Sequence, residues 1–298
     1  MLPAISFLAT LRRRRQLKYH FFFFSINFQR IFKYLQIKAA PGSPALAAER
    51  KCEMPFLPPV MRCIWMNHEE MSDILKSSLG IRDNIVGVRL FKSEAEIPKD
   101  LQSVEKPIHY CGMIQGARNE GKSFLARAEY HGCKGGASGL GIVQCPENIA
   151  SGSLYFDKLH KCETKDIGIS IASNMPRLLP GSTIATYVAP LDKMIMNPDV
   201  VIFVGNPLNA RRIVQAVMFK EGGRSGFNTA GIQSFCVDAT ASPYLKREVN
   251  ISLGCDGSAK NSGLKDEDVV VGIPFAMMED ICTVLKTQYQ GWDKFMRG

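Results

Sequence analysis

No two of the nine cysteines in this 298-residue chain are separated by two residues, so the spacing of zinc ribbons and ferredoxins is missing. The odd number, the irregular spacing and the lack of a secretory signal argue against a disulfide framework and favour a reducing, cytoplasmic compartment. Any site built from these thiols therefore has to be assembled from segments that are distant in the sequence.

Acidic residues are missing before Glu49, and residues 1–65 hold eleven Lys or Arg against two acids. This leader accounts for the whole net charge of +9, so residues 66–298 are neutral overall and lack a basic footprint for nucleic acid. Its longest uncharged run after Lys18 ends at Arg30, far short of the ~20 residues that a bilayer requires. We therefore expect no nucleic-acid partner and no membrane span.

Three interpretations of the leader remain open. It is translated DNA upstream of the true start, because ordinary globular patterning begins only after Met66; this is the interpretation we favour. Alternatively, it is a targeting or amphipathic membrane-surface segment, or a disordered tail. In each case we expect residues 66–298 to form a single domain.

Helices and strands alternate along that domain. The segment EEMSDILKSSLG has helical spacing with Gly80 as its stop, and IHYCGMIQGARNEG predicts a short helix that ends at Gly121. The apolar run VVIFVG, residues 200–205, is typical of a buried parallel strand. The alternation predicts an α/β fold with a mixed or parallel sheet and flanking helices.

A faint internal echo suggests two diverged βαβ-like halves. In each half a strand precedes a helix, an acid–glycine turn (Glu120-Gly121 and Glu221-Gly222) and then a cysteine, Cys133 or Cys236. A duplication would give this pattern, and so would chance in an α/β chain.

Four cysteines are candidates for a site. Cys282 lies in a helical pattern between apolar residues, and Cys145 and Cys162 have ordinary neighbours, so packing explains these three. The remaining candidates are Cys111, Cys133, Cys236 and Cys255. They form an iron–sulfur or zinc site, a redox-active pair or a single nucleophile, or they are buried small apolar residues.

Glycines accompany two of these thiols. Gly135 and Gly136 follow Cys133 in the segment HGCKGGASGLG, which is too rich in glycine to predict a regular element, and Gly257 follows Cys255. Glycine lets backbone N–H groups turn toward a sulfur or an anion without an intervening Cβ. We therefore predict that these three glycines help to bind the cofactor.

A second candidate site lies in the loop after VVIFVG. The segment GNPLNARR places backbone donors, Asn206 and Arg211 where open α/β sheets bind ligands. An ordinary loop with solvated arginines explains the same pattern. His131, two residues before Cys133, is either a group that activates the thiol or a surface residue.

The ordered segments CGMIQGARNEGKSFLARAEYHGCKGGASGLG, PDVVIFVGNP, IQSFCVDATASPYL, NISLGCDGS and VVVGIP resemble the family called domain of unknown function 169, found mainly in archaea and anaerobic bacteria. The resemblance runs from about Ser72 to the C-terminus and implies that Cys111, Cys133, Cys236 and Cys255 recur in the family. It implies no known reaction. Where members often carry an arginine after the last of these cysteines, this chain has Ala259 and Lys260.

These observations predict a cytoplasmic protein whose thiolates hold an iron–sulfur cluster or zinc, used in redox or cofactor handling with an unknown redox partner. The competing hypothesis is a non-catalytic module that binds a small molecule through the Gly205–Arg212 loop, with structural cysteines.

Overall fold

The computed structural model describes residues 66–297, and of residues 289–297 it describes the backbone only. The leader, with Cys52 and Cys63, lies outside the described residues, and the predicted domain boundary at residue 66 stays a prediction. The strands are β1 (Val86–Phe91), β2 (Phe124–Arg127), β3 (Ala185–Pro190), β4 (Val200–Gly205), β5 (Asn250–Ser252) and β6 (Val269–Pro274). The helices are α1 (His68–Leu79), α2 (Tyr110–Glu120), α3 (Lys134–Gly139), α4 (Glu147–Ala150), α5 (Lys165–Ser173), α6 (Pro207–Met218), α7 (Ser242–Lys246), α8 (Asp256–Ser262) and α9 (Met278–Arg297).

The six strands form one sheet in the order β2-β3-β1-β4-β6-β5, and all of their pairings are antiparallel. The α/β class is confirmed, and the parallel option is wrong. Strand β4 is buried because it lies in the middle of the sheet with helices on both faces. Burial on both faces produces a continuous apolar run whatever the direction of the neighbouring strands.

The strand order has the same plan in both halves. Since β3 is antiparallel to β1 and to β2, β1 and β2 run in the same direction with β3 between them; β4 and β5 have the same relation around β6. The likeness ends with the helices, because α2 and α6 pack on opposite faces of the sheet. In addition, Cys133 follows β2, whereas Cys236 precedes β5.

Two layers of helices cover the sheet. We call the side covered by α1, α6 and α9 the packed face; its core contains Leu75, Phe203 and Ile213. We call the other side the thiol face; it is covered by α2, α3 and a π-helical turn at Ser234–Ala241, and α8 packs on α2. Alternate residues of each strand point to the two faces, as the period of two in a strand requires.

Glycines end the first two helices where the sequence predicts. Gly80 and Gly121 have φ values of 69° and 67°, in the left-handed region that favours glycine, and their N–H groups bond back to the preceding turn. The stretch after Cys133, for which no regular element is predicted, forms the short helix α3 instead. Its glycines are buried, and a Cβ on Gly139 would lie 2.6 Å from the side chain of Val237, so the π-helical turn packs directly on this backbone.

Within residues 66–297, none of the helices combines the length and the apolar character that crossing a membrane requires.

Candidate functional site

A cavity of about 320 Å³ on the thiol face is lined by all four candidate cysteines. Cys111 lies in the first turn of α2, Cys133 and Cys255 directly precede α3 and α8, and Cys236 belongs to the π-helical turn. The thiols therefore come from four separate segments, and the fold brings them to one cavity.

Cys133 and Cys236 both lie close to Gly136. The Sγ atom of Cys133 accepts a hydrogen bond from the Gly136 N–H at 3.3 Å. A Cβ on Gly136 would lie 3.7 Å from that sulfur and 3.5 Å from the Sγ atom of Cys236, so the two sulfurs are at most about 7 Å apart. Both sulfurs therefore lie next to a residue that has no side chain.

Cys255 and Cys111 meet at the start of α8. The Sγ atom of Cys255 accepts a hydrogen bond from the Ser258 N–H at 3.3 Å, and the Ser258 hydroxyl accepts one from the Cys255 N–H at 2.9 Å. The Cys111 thiol donates to the carbonyl oxygen of Gly257 at 3.9 Å. These contacts fix the second pair of sulfurs around the backbone of Gly257.

Burial and mutual repulsion keep two of these thiols protonated in the metal-free protein. Burial, followed by the charges of Cys255 and Cys133, raises the pKa of Cys111 to about 11. Burial raises the pKa of Cys236 well above its ordinary value, and the other three cysteines add to the shift. The four groups are thus near enough to repel as thiolates, and a bound cation would reverse this preference.

The rest of the cavity wall is largely apolar, with side chains from two segments. The segment from Ile149 to Leu159 contributes aliphatic groups and the ring of Tyr155. Ile232 precedes the π-helical turn, and Phe235 belongs to it. Lys161 and Asp256 also line the cavity, and they form an ion pair at 2.8 Å.

The three predicted glycines line the cavity with the thiols. Gly135 packs so closely that a Cβ there would lie 2.9 Å from the Gln233 amide nitrogen and 3.0 Å from Ile149. The cofactor-binding role of Gly135, Gly136 and Gly257 stays a prediction, and the geometry gives it a place next to the sulfurs.

Asn206 and Arg211 do not belong to this cavity. They lie at the start of α6, on the packed face, where the Asn206 side chain accepts a hydrogen bond from the Asn209 N–H at 3.1 Å and caps the helix. The neighbouring Arg212 donates to the carbonyl oxygen of Ser78 at 2.6 Å. The described contacts of Asn206 and Arg212 hold α6 in place, and a ligand role for Asn206 and Arg211 stays a prediction.

His131 is neither a surface residue nor part of the cavity lining. Its ring is 1% exposed, and its Nε2 atom lies 3.1 Å from the hydroxyl of Thr186 on β3. Burial lowers its pKa to about 4, so the ring is neutral at ordinary pH. The contacts assign it a structural role beneath the site.

Sequence reasoning missed the apolar wall and Gln233. Gln233 lines the cavity with a φ of 55°, a strained value for a residue other than glycine, at the start of the π-helical turn that carries Cys236. No sequence signal marks that turn. Cys145 and Cys162 pack in a small cluster around Ile149 and Tyr155 and do not line the cavity.

The four thiols share one cavity but do not form a compact set of metal ligands. In the part of the chain that the structure describes, no three His, Cys, Asp or Glu side chains are arranged as a ready-made group for a metal ion.

Comparison with known proteins shows the family of this chain. Residues 74–283 match the model of domain of unknown function 169, described as an uncharacterised ArCR family. The chain belongs to this family. It is also 38% identical over 208 residues to the uncharacterized protein MJ0308 of Methanocaldococcus jannaschii, a match that covers 70% of this chain and 88% of that protein. No solved structure matches this family member significantly. All four cavity cysteines lie inside the matched span.

Proposed function

We propose that this protein holds an iron–sulfur cluster through Cys111, Cys133, Cys236 and Cys255 and uses it in redox chemistry. The observation that carries the proposal is the selective placement of the thiols. The four candidates line one cavity, whereas Cys145, Cys162 and Cys282 do not. Packing alone gives no reason for four thiols from four segments to share one cavity, since cysteines of the core are dispersed among apolar neighbours.

The width of the site supports a cluster over a single zinc ion. Zinc binds thiolates at about 2.3 Å, so tetrahedral sulfurs around one ion lie about 4 Å apart and leave no cavity between them. A cluster distributes its iron atoms, and four cysteines at wider separations each bind one of them or share two. Here the four cysteines line a cavity of about 320 Å³ and, within the described residues, form no compact metal-binding group, which favours the larger group.

The immediate surroundings of the sulfurs fit thiolate ligands. The N–H groups of Gly136 and Ser258 donate to Cys133 and Cys255, and hydrogen bonds of this kind stabilise thiolate and raise the potential of a cluster. The apolar wall lowers the local dielectric constant around the sulfurs. A cluster with four thiolate ligands supplies one-electron transfer when bound, and the protein's own groups hold the thiolates and set the polarity around them.

The experiment is iron and acid-labile sulfide analysis of the full chain purified without oxygen, with Cys133→Ser and Cys255→Ser as test variants. In both variants the serine hydroxyl can still accept the N–H bond of Gly136 or Ser258, so the fold should persist. Cys145→Ser is the matched control, because Cys145 is also half-buried but lies outside the cavity.

We expect iron and sulfide in equal amounts in the wild type and the control, and loss of most of both in the two test variants. Iron-free wild-type protein after anaerobic purification and chemical reconstitution would contradict the proposal. So would full iron content in both test variants.

The competing hypothesis, a binding module built on the Gly205–Arg212 loop, receives less support. Asn206 is engaged as a helix cap and Arg212 bonds to Ser78, so two of its polar groups already have structural partners.

A further inference from the structure

The cavity is lined by apolar side chains as well as by the sulfurs. Its total volume of about 320 Å³, at the lower end of the roughly 300–1,000 Å³ of small-molecule sites, would be shared by a cluster and a ligand, so the ligand has to be small. The apolar side chains of the lining are those of Ile149, Leu154, Leu159, Ile232 and Phe235. These side chains cannot bind a metal ion. They do favour a ligand whose apolar surface is removed from water on binding.

The charged groups of the cavity are already paired with each other. Lys161 and Asp256 are the charged side chains among the lining residues of the described chain, and their ion pair at 2.8 Å leaves these side chains without a net charge toward a ligand. An anion would in addition be repelled by thiolates, and any ion would lose its hydration against the apolar wall. The lining therefore selects for a molecule without charge.

We propose that the apolar part of the cavity binds a small uncharged organic molecule, with its body against Leu154 and Ile232 and one edge toward the thiols. This inference rests on the proposed function, because the ligand would lie beside the cluster in the same cavity. The class of ligand is an uncharged organic molecule, and the thiols themselves would bind only the cluster.

Most of the apolar wall comes from one segment that carries none of the four thiols. Ile149, Leu154, Tyr155 and Leu159 lie in or beside a small cluster of their own, centred on Ile149, Tyr155 and Ala172. A bulky substitution at half-buried Leu154 therefore narrows the ligand space without removing a thiol. Leu179, which is 78% exposed and outside the cavity, offers a matched position for a control.

The test compares three probes with the same ring and different charge: benzyl alcohol, benzoate and benzylammonium. Equilibrium dialysis against full-length, anaerobically prepared protein measures their binding, and iron and sulfide are quantified in the same samples. We expect benzyl alcohol to bind at least about tenfold more tightly than either ion, because the ions lose their hydration. Leu154→Trp should weaken the binding of benzyl alcohol at least about tenfold by filling the space, and Leu179→Trp should leave its affinity unchanged.

Equal or tighter binding of either ion would overturn the inference, and so would undetectable binding of benzyl alcohol to wild type at millimolar concentration. Undiminished binding to Leu154→Trp, with an unchanged circular-dichroism spectrum, would overturn the position of the site. The iron assay separates the two proposals. Iron-loaded protein that binds none of the probes refutes the ligand alone, whereas iron-free protein after reconstitution refutes the cluster and with it the ligand's place beside the cluster.

Discussion

The two faces of the sheet place cysteines in different surroundings. On the packed face Cys282 is fully buried among aliphatic side chains, and its thiol donates a hydrogen bond to the carbonyl oxygen of Met71 at 3.8 Å. On the thiol face four half-buried cysteines line a cavity, next to glycines that allow close backbone approach. The difference teaches that the surroundings of a thiol, more than the number of thiols, indicate a site.

Thiol reactivity should give the largest contrast between the faces. Burial raises the pKa of Cys282 to about 12, so at pH 8 only about one molecule in ten thousand carries the reactive thiolate there. In metal-free native protein, iodoacetamide should label Cys133 and Cys255 more than about a thousandfold faster than Cys282. Mass spectrometry of peptides after timed labelling measures this. Labelling of Cys282 at a similar rate would remove the contrast.

The junction between the sheet and the π-helical turn should be the most sensitive point for stability. A Cβ on Gly272 of β6 would overlap the carbonyl oxygen of Ala239, in the turn that carries Cys236. Because this is backbone and cannot rotate away, we expect Gly272→Ala to lower the free energy of unfolding by about 3 kcal/mol or more. Urea denaturation measures it, and Gly226→Ala, where nothing lies within 4 Å, is the control that should stay within about 0.5 kcal/mol. Equal stability of the two variants would contradict the packing described here.

Cys282→Ser sharpens the comparison from the packed face. The serine hydroxyl can still donate to the Met71 carbonyl oxygen, but it is a more polar group among aliphatic side chains. The free energy of unfolding should therefore fall by about 0.5–2 kcal/mol while the iron content stays at the wild-type level. Denaturation and iron analysis on one preparation check both statements. Loss of iron in this variant would mean that the two faces do not differ as proposed.

The ion pair between Lys161 and Asp256 should have the smallest effect. The two side chains are 36% and 71% exposed, so Lys161→Ala should change the free energy of unfolding by less than about 1 kcal/mol. Thermal melts at low and high salt measure it, and the double variant Lys161→Asp with Asp256→Lys is the control that restores the pair with reversed charge. A change above about 2 kcal/mol would show that the pair holds the cavity wall in place.

Local features of the fold were predictable from the sequence. The glycines that end α1 and α2, and the apolar run of β4, act through neighbouring residues only, and these elements lie where the patterns predict. The direction of the strands was not predictable, because burial on both faces gives the same run in parallel and antiparallel sheets. The ligand site predicted after β4 was based on open α/β sheets with parallel strands, which bind ligands at the carboxyl ends of their strands. Since β4 pairs antiparallel, that argument does not apply here.

The candidate site was predictable in its thiols and not in its walls. Cys133 and Cys255 stand out because glycines follow them, Cys111 and Cys236 remain once packing explains the other cysteines, and the family resemblance implies that all four recur. The convergence of the four segments depends on the packing of α2, α3, α8 and the π-helical turn, which no short pattern encodes. The segment around Leu154 has the sequence pattern of an ordinary core segment. Only the folded structure shows that it lines the same cavity as the cysteines.

X-ray absorption at the iron edge, on full-length protein prepared without oxygen, tests the central claim most directly. We predict that each iron has a shell of sulfur neighbours and a second iron atom close by, as in a cluster held by thiolates. Iron surrounded by nitrogen or oxygen, without an iron neighbour, would contradict the account.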